Sequence, residues 1–177
     1  MTHLTGSERS SYVQGMFTRI AHRYDLMNRL MTAGQDALWR AEVIRRAALP
    51  PGESLVLDLG AGTGDLSFDV LRKHPQTTPI AADFTTAMMD VGRQRQRGTQ
   101  VHWSCVDALQ IPFPEKTFEA VISGFLLRNV IDLPKTLAEQ YRVLKPGGMM
   151  VALDTTRPSD NLLSPFIRLH MNTVVPL

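Results

Sequence analysis

The chain predicts an α/β fold, a parallel sheet covered by helices on both faces, and three observations carry that prediction. From Ser54 onward, apolar runs of strand length alternate with amphipathic segments of helix length. The first run, Leu55 to Leu59, closes on glycines at 60, 62 and 64, which reads as a buried strand turning sharply into a helix. The next run, Thr78 to Asp83, ends in a carboxylate about 20 residues past that loop, the spacing of a βαβ unit. Such units cross over right-handedly, so the strands lie parallel.

The elements follow in order. Residues 1–50 read as a helical cap and 51–177 as the core of a single domain. Val13, Met16, Phe17, Ile20, Tyr24 and Met27 recur at intervals of three and four, forming one apolar stripe. A second helix, from about Gln35 to Ala48, is expected to bury Ala37, Ala41, Ile44 and Ala48 and to stop at Leu49-Pro50-Pro51-Gly52. Strands are predicted over 54–59, 78–83, 100–105, 118–123 and 148–154, and helices over 64–73, 85–96 and 133–144. The last helix has Asp132 as N-cap, Pro134 in its first turn and a Leu133, Leu137, Tyr141, Leu144 stripe. Gly147-Gly148 is expected to end it. Beyond the fifth strand a partly amphipathic stretch holds Leu162, Leu163, Phe166, Ile167 and Leu169, and the chain stops at Leu177. That is early for a doubly wound sheet, so its C-terminal strands are expected to be missing. The outer edge of Met149–Asp154 is then unpaired, so the chain is expected either to pair with another copy, as a homodimer through its C-terminal third, or to be a fragment of a longer product.

Composition narrows the class. A hydrophobic fraction of 44% with 20% charged residues is that of an ordinary globular domain. One cysteine, Cys105, excludes an intrachain disulfide and a cysteine metal cluster, and the five histidines show no ligand spacing. No apolar stretch approaches the roughly 18 residues of a bilayer span, and the N-terminus lacks a signal-peptide core, so the cytoplasm is the expected compartment. A net charge of +2 is mild. Arg93, Arg95 and Arg97 alternate and Arg45-Arg46 form a pair; both read as solvated helix ends, and no aromatic interleaving argues for nucleic acid.

Ligands of such sheets bind at the carboxyl ends of the strands. At the first, glycines such as Gly60 and Gly62 let a ligand lie against the backbone, and the following helix presents free N–H groups. Dinucleotide loops use G-x-G-x-x-G, but Asp65 occupies the place of the third glycine, where a carboxylate repels a pyrophosphate. Beside the ammonium and sulfonium of S-adenosylmethionine, Asp58 and Asp65 are electrostatically compatible. Asp83, followed by Phe84, suits ribose hydroxyls and serves equally as a cap for the helix after Thr85. Val106-Asp107-Ala108 follows strand three, where Asp107 can accept from an adenine amino group. Strand four ends at Ser123-Gly124 and runs into Phe125-Leu126-Leu127-Arg128-Asn129-Val130.

With these residues the chain resembles a class I S-adenosylmethionine-dependent methyltransferase with a Rossmann-like sheet. More narrowly, it resembles the UbiE/MenG family, the C-methyltransferases of menaquinone and ubiquinone biosynthesis. Tyr24-Asp25-Leu26-Met27-Asn28-Arg29 with Leu38-Trp39-Arg40, the loop Leu57 to Asp65, Leu127-Arg128-Asn129-Val130, and Tyr141 to Gly148 carry the likeness. The glycine loop and the Lys-Pro-Gly-Gly turn are shared by many methyltransferases; the other two segments are more particular. Leu126 departs from the family, which commonly has glycine there, and is expected to narrow the substrate pocket or shift the loop.

The resemblance implies a cofactor site of Asp58, Gly60, Gly62, Thr63, Asp83, Phe84, Asp107, Ala108 and Ser123 or Gly124, with no metal. It implies transfer to a ring carbon of a polyprenyl hydroquinone, whose phenol, with a pKa of about 10, must be held as its anion. Arg128 is the candidate for that oxyanion; its alternative is a surface ion pair. Tyr24, Asp25 and His22 are candidates for closing the site or accepting the proton, and Asn129 for capping the local turn. A polyprenyl substrate implies peripheral contact with a membrane. Another small-molecule methyltransferase, or a catalytically incomplete S-adenosylmethionine-binding protein, shares most of these features.

Overall fold

The structure is a computed structural model and describes residues 6–155. Three helices come first: α1 (Gly6–Ile20), α2 (Tyr24–Met31) and α3 (Asp36–Arg46), with a single 3-10 turn at Ala21–Arg23 between the first two. The alternating core follows: β1 (Ser54–Leu59), α4 (Asp65–Lys73), β2 (Thr77–Asp83), α5 (Thr86–Arg93), β3 (His102–Cys105), β4 (Phe118–Gly124), α6 (Leu133–Val143) and β5 (Leu144–Leu153). The five strands are all parallel in the order β3-β2-β1-β4-β5. The chain therefore reverses its direction of winding between β3 and β4, and the cleft beside β1 is the topological switch point.

A parallel sheet buries both faces, which is why β1 and β4 read as nearly continuous apolar runs. On one face Val43 and Ile44 of α3, Ala47 just past its end, and Leu66 and Val70 of α4 pack on Val56, Ala120 and Ile122. On the other, Leu57, Leu59, Phe118 and Val121 meet Val143 of α6 and Val106 and Ile111 of the loop after β3. Each valine, leucine, isoleucine and phenylalanine among them contributes about 1.5–3 kcal/mol on burial.

Three expectations change on the structure. In α3 the buried residues are Asp36, Val43 and Ile44, followed by Ala47, whereas Ala37 and Ala48 are exposed. The larger β-branched side chains, not the alanines, settle the helix's roll. In α6, Thr136, Gln140 and Val143 face the sheet and Tyr141 is 80% exposed. Arg142 and Glu139 fix that roll: Arg142 donates to the carbonyls of Ile111 and Phe113, and Glu139 accepts from the Ile111 N–H. Finally, Gly147-Gly148 does not end α6. The helix stops at Val143, and Lys145-Pro146-Gly147-Gly148 forms a bulge within β5, where Phe118 pairs Leu144 but Ala120 pairs Met149. Proline has no N–H for the ladder, and Gly147 takes φ +80°.

The edge of β5 leaves Met149 and Met150 about two-fifths exposed, at 43% and 40%. The predicted stretch from Leu162 onward falls on residues 156–177 and lies outside the described residues.

Candidate active site

The carboxyl ends of β1, β2 and β4 and the loop after β3 open into one cleft, roofed by α1 and α2. Gly60, Gly62, Asp83, Phe84, Asp107, Ala108 and Gly124 line it from the sheet side, and Val13, Gln14, Phe17 and Tyr24 from the cap. The predicted single stripe is thus broken at Ala21–Arg23, and of its residues Val13, Phe17 and Tyr24 reach the cleft.

The three glycines of the loop take left-handed backbone, with φ +71° at Gly60, +57° at Gly62 and +85° at Gly64. The amides of Gly60 and Ala61 both donate to Ala82 O, at 2.7 and 3.0 Å, which draws the loop over the end of β2. At Gly64 a Cβ would stand 2.6 Å from Trp103 Cη2. The glycine at 64 therefore lets the sheet and the start of α4 close together, and Trp103 is itself held by its indole N–H on Gly98 O at 2.9 Å.

Asp83 is the best-defined group of the site. Its Oδ2 accepts the Gly62 N–H at 2.8 Å and its Oδ1 the Thr85 N–H at 2.7 Å. The carboxylate thus caps the start of α5, ties down the glycine loop and lines the cleft. Burial pushes its pKa up while those amides oppose the rise. Asp107 is exposed, with Oδ1 taken by the Leu109 N–H at 2.8 Å.

Asp58, Thr63 and Ser123 do not line the cleft; they lie buried behind it. Asp58 is fully enclosed and accepts the amide and hydroxyl of Ser67 on Oδ2, at 3.0 and 2.7 Å, leaving Oδ1 without a hydrogen-bond partner. Burial raises its pKa to about 7. Thr63 donates its hydroxyl to Asp25 Oδ1 at 2.6 Å. Ser123 Oγ has no partner.

Of the four catalytic candidates, Tyr24 alone lines the cleft. Burial raises its phenol above the ordinary value, while Asn28 and the Arg128 charge pull it down. Arg128 sits at the rim with its side chain 45% exposed, donating to Thr155 Oγ1 at 2.7 Å, 3.8 Å from Asp154 and stacked on Phe125. Asp25 turns toward the glycine loop, and His22 is exposed on the 3-10 turn. Asn129 donates to Phe125 O at 2.9 Å, closing a turn in which Phe125 has φ +60°. Leu126 lies against Gly60, where a Cβ would stand 2.9 Å from its Cδ1, and it lines the cleft.

Two arginines gain parts that composition and spacing did not suggest. Arg95, read as a solvated helix end, pairs with Asp65 at 2.7 Å and with Asp25 at 3.4 Å. Arg40 pairs with Asp36, with Asp69 at 2.9 Å and with Asp65 at 3.4 Å. Asp65 is thus neutralised within the protein and is not the free charge beside a ligand that the loop suggested. The available signal was that Asp65 has no basic residue three or four positions away on its own helix. Among the described residues no cluster of His, Cys, Asp and Glu can hold a metal ion, and no helix is long and apolar enough to cross a membrane.

A model of the ubiE/COQ5 methyltransferase family matches residues 4–177. The ubiquinone/menaquinone biosynthesis C-methyltransferase UbiE of Desulfotalea psychrophila is 46% identical over 165 residues, covering 93% of this chain and 67% of the relative. The demethylmenaquinone methyltransferase of Thermus thermophilus is 39% identical over 163 residues, covering 91% and 74%. Among solved structures, the geranyl diphosphate C-methyltransferase of Streptomyces coelicolor aligns with a TM-score of 0.62 over 77% of this chain and 54% of that one. At 20% identity that likeness is one of fold.

Proposed function

The chain belongs to the ubiE/COQ5 methyltransferase family, and from that premise we propose that it binds S-adenosyl-L-methionine in the cleft and methylates a ring carbon of a polyprenyl hydroquinone, as a single domain. The observation that carries the reading is Asp83, a carboxylate held by the Gly62 and Thr85 amides where it lines the cleft. The cofactor fits the residues present. Gly60 and Gly62 leave the loop backbone bare where a side chain would meet Leu126 or Met88. Asp83 takes ribose hydroxyls, Asp107 an adenine amino group, and Phe84, Ala108 and Gly124 the faces of the nucleoside. Asp58 and Thr63 act from behind, shaping the loop through Ser67 and Asp25.

When bound, the cofactor supplies an electrophilic methyl group on a sulfonium. The chain's part is alignment and activation of the ring carbon. A phenol whose pKa is raised stays protonated at neutral pH, so Tyr24 is a hydrogen-bond donor and not the base. Arg128, at the rim, adds a positive charge that is felt at the Tyr24 phenol. Together they stabilise a substrate phenolate, whose proton leaves to water at the mouth of the cleft. The apolar cap residues Val13 and Phe17 suit the ring and the start of its tail. Peripheral contact with a membrane belongs to the same reading. The outward face of α2 carries Leu26 and Leu30, 60% and 62% exposed, with Arg23 just before the helix and Arg29 within it, both also exposed.

The test is titration of the protein with S-adenosylmethionine and NADH by calorimetry, followed by an assay on demethylmenaquinol. Binding of the first alone with methyl transfer is expected. Binding without transfer favours the catalytically incomplete reading, which draws on Arg128 being held at Asp154 and Thr155. Tight NADH binding overturns both.

A further inference from the structure

One cluster of charges lies outside the chemistry above, and it joins the helical cap to the glycine loop. Arg95, two residues past the end of α5, is at its centre. Its Nη1 donates to Asp65 Oδ1 at 2.7 Å, to Thr63 O at 3.3 Å and to Asp25 Oδ2 at 3.4 Å. Its guanidinium lies 4.6 Å over the Phe68 ring, which in turn meets Trp103 edge-on. Asp25 closes the circuit by accepting the Thr63 hydroxyl on its other oxygen. Thr63 stands between Gly62 and Gly64, and Asp25 follows Tyr24, which the cap sends into the cleft. From the far side, Arg40 of α3 reaches Asp65 while also pairing Asp36 and Asp69.

We propose that Arg95 is a positioning residue, a latch that holds α2 on the glycine loop by bridging Asp25 and Asp65, and so fixes Tyr24 over the cleft and Thr63 beneath it. The proposal rests on the reading that the cleft takes S-adenosylmethionine. The physical reason is charge. Asp25, Asp65 and Arg95 are all half-buried, with side chains 28%, 25% and 32% exposed, so solvent screens them only in part. Without the cation between them, two carboxylates on different elements face each other and repel. The nearest remaining cation, Arg40, is already shared among three acids. The cap then swings away, taking Tyr24 with it, and the Thr63 carbonyl loses a donor in the loop that must meet the ligand.

The experiment compares the wild type with Arg95→Gln, Asp25→Asn, the double variant and Arg95→Lys. Affinity for S-adenosylmethionine is measured by calorimetry, and amide hydrogen exchange is followed on each protein without ligand. Arg95→Gln is expected to weaken binding about tenfold, the double variant no more than the larger single loss, and Arg95→Lys to recover most of it, as for residues acting in one network. Exchange should quicken over Tyr24–Met31 in Arg95→Gln while β1 and β4 stay protected. Losses that multiply in the double variant, or exchange that quickens evenly across the sheet, overturn the proposal. If the wild type does not bind S-adenosylmethionine, the functional reading fails. The exchange contrast still decides the latch.

Discussion

Asp83 and Gly62 join the ends of two adjacent parallel strands: the carboxylate that closes β2 accepts the amide of the loop that follows β1, at 2.8 Å. The same carboxylate takes the Thr85 amide on its second oxygen, so it organises the loop and the start of α5 before any ligand arrives.

Asp83→Ala is therefore expected to lose more than a ligand contact. Two amides are left without their acceptor and the ribose hydroxyls without theirs, for a loss of about 1–3 kcal/mol in S-adenosylmethionine affinity. Asp83→Asn keeps one acceptor oxygen and should lose less. Calorimetric titration of both variants checks the order, and unchanged affinity in Asp83→Ala would remove the residue from the site.

Gly64→Ala tests the closeness of α4 to the sheet. The new Cβ meets Trp103 at 2.6 Å, on a residue already at φ +85°, and Trp103 is pinned by Gly98. Overpacking and left-handed strain each cost about 1–3 kcal/mol. Gly147→Ala is the control: φ is +80° but nothing lies within 4 Å. Denaturant unfolding should show Gly64→Ala as clearly the less stable of the two.

Strands were the most legible part of the chain. β1 matches its predicted bounds because a buried parallel strand carries an uninterrupted apolar run, whatever surrounds it. The rolls of α3 and α6 were not legible. Both carry apolar residues on more than one face, and the choice was made by contacts distant in sequence, such as Arg142 with the carbonyls of Ile111 and Phe113. The site divides in the same way. That Gly60, Gly62, Asp83, Asp107 and Gly124 line the cleft was legible because strand ends are marked by local sequence. Arg95 and Arg40 were not, because an ion pair across 30 residues, such as Arg95 with Asp65, leaves no periodic trace.

Tyr24→Phe and Arg128→Ala separate the two arms of the proposed oxyanion site. Tyr24→Phe keeps the ring against Phe17, 5.8 Å between centroids, and removes only the hydroxyl. Turnover should fall by about ten- to a thousandfold with cofactor affinity unchanged, the signature of an interaction made in the transition state. Arg128→Ala should lower turnover similarly while costing less than about 1 kcal/mol of stability, because its ion pair with Asp154 is long and exposed. Parallel loss of Tm and turnover in Arg128→Ala would make its role structural.

Asp58 supplies the pH prediction. Burial raises its carboxyl to about 7 in the folded chain, against about 3.9 when unfolded. Between those values the folded state holds a proton that the unfolded state has lost. Stability from this group is therefore greatest below pH 4 and declines as pH rises toward 7, by at most about 1.4 kcal/mol per pH unit. Glu42 and Glu139, both lowered to about 2 by neighbouring arginines, act in the opposite sense and only at acid pH, where their pairs are lost. Asp58→Asn retains an oxygen for Ser67 and cannot titrate. Thermal unfolding from pH 5 to pH 8 should show the wild type losing stability relative to Asp58→Asn as the pH rises. Identical slopes for the two proteins would mean that Asp58 is ionised throughout and that Ser67 alone suffices to hold its charge.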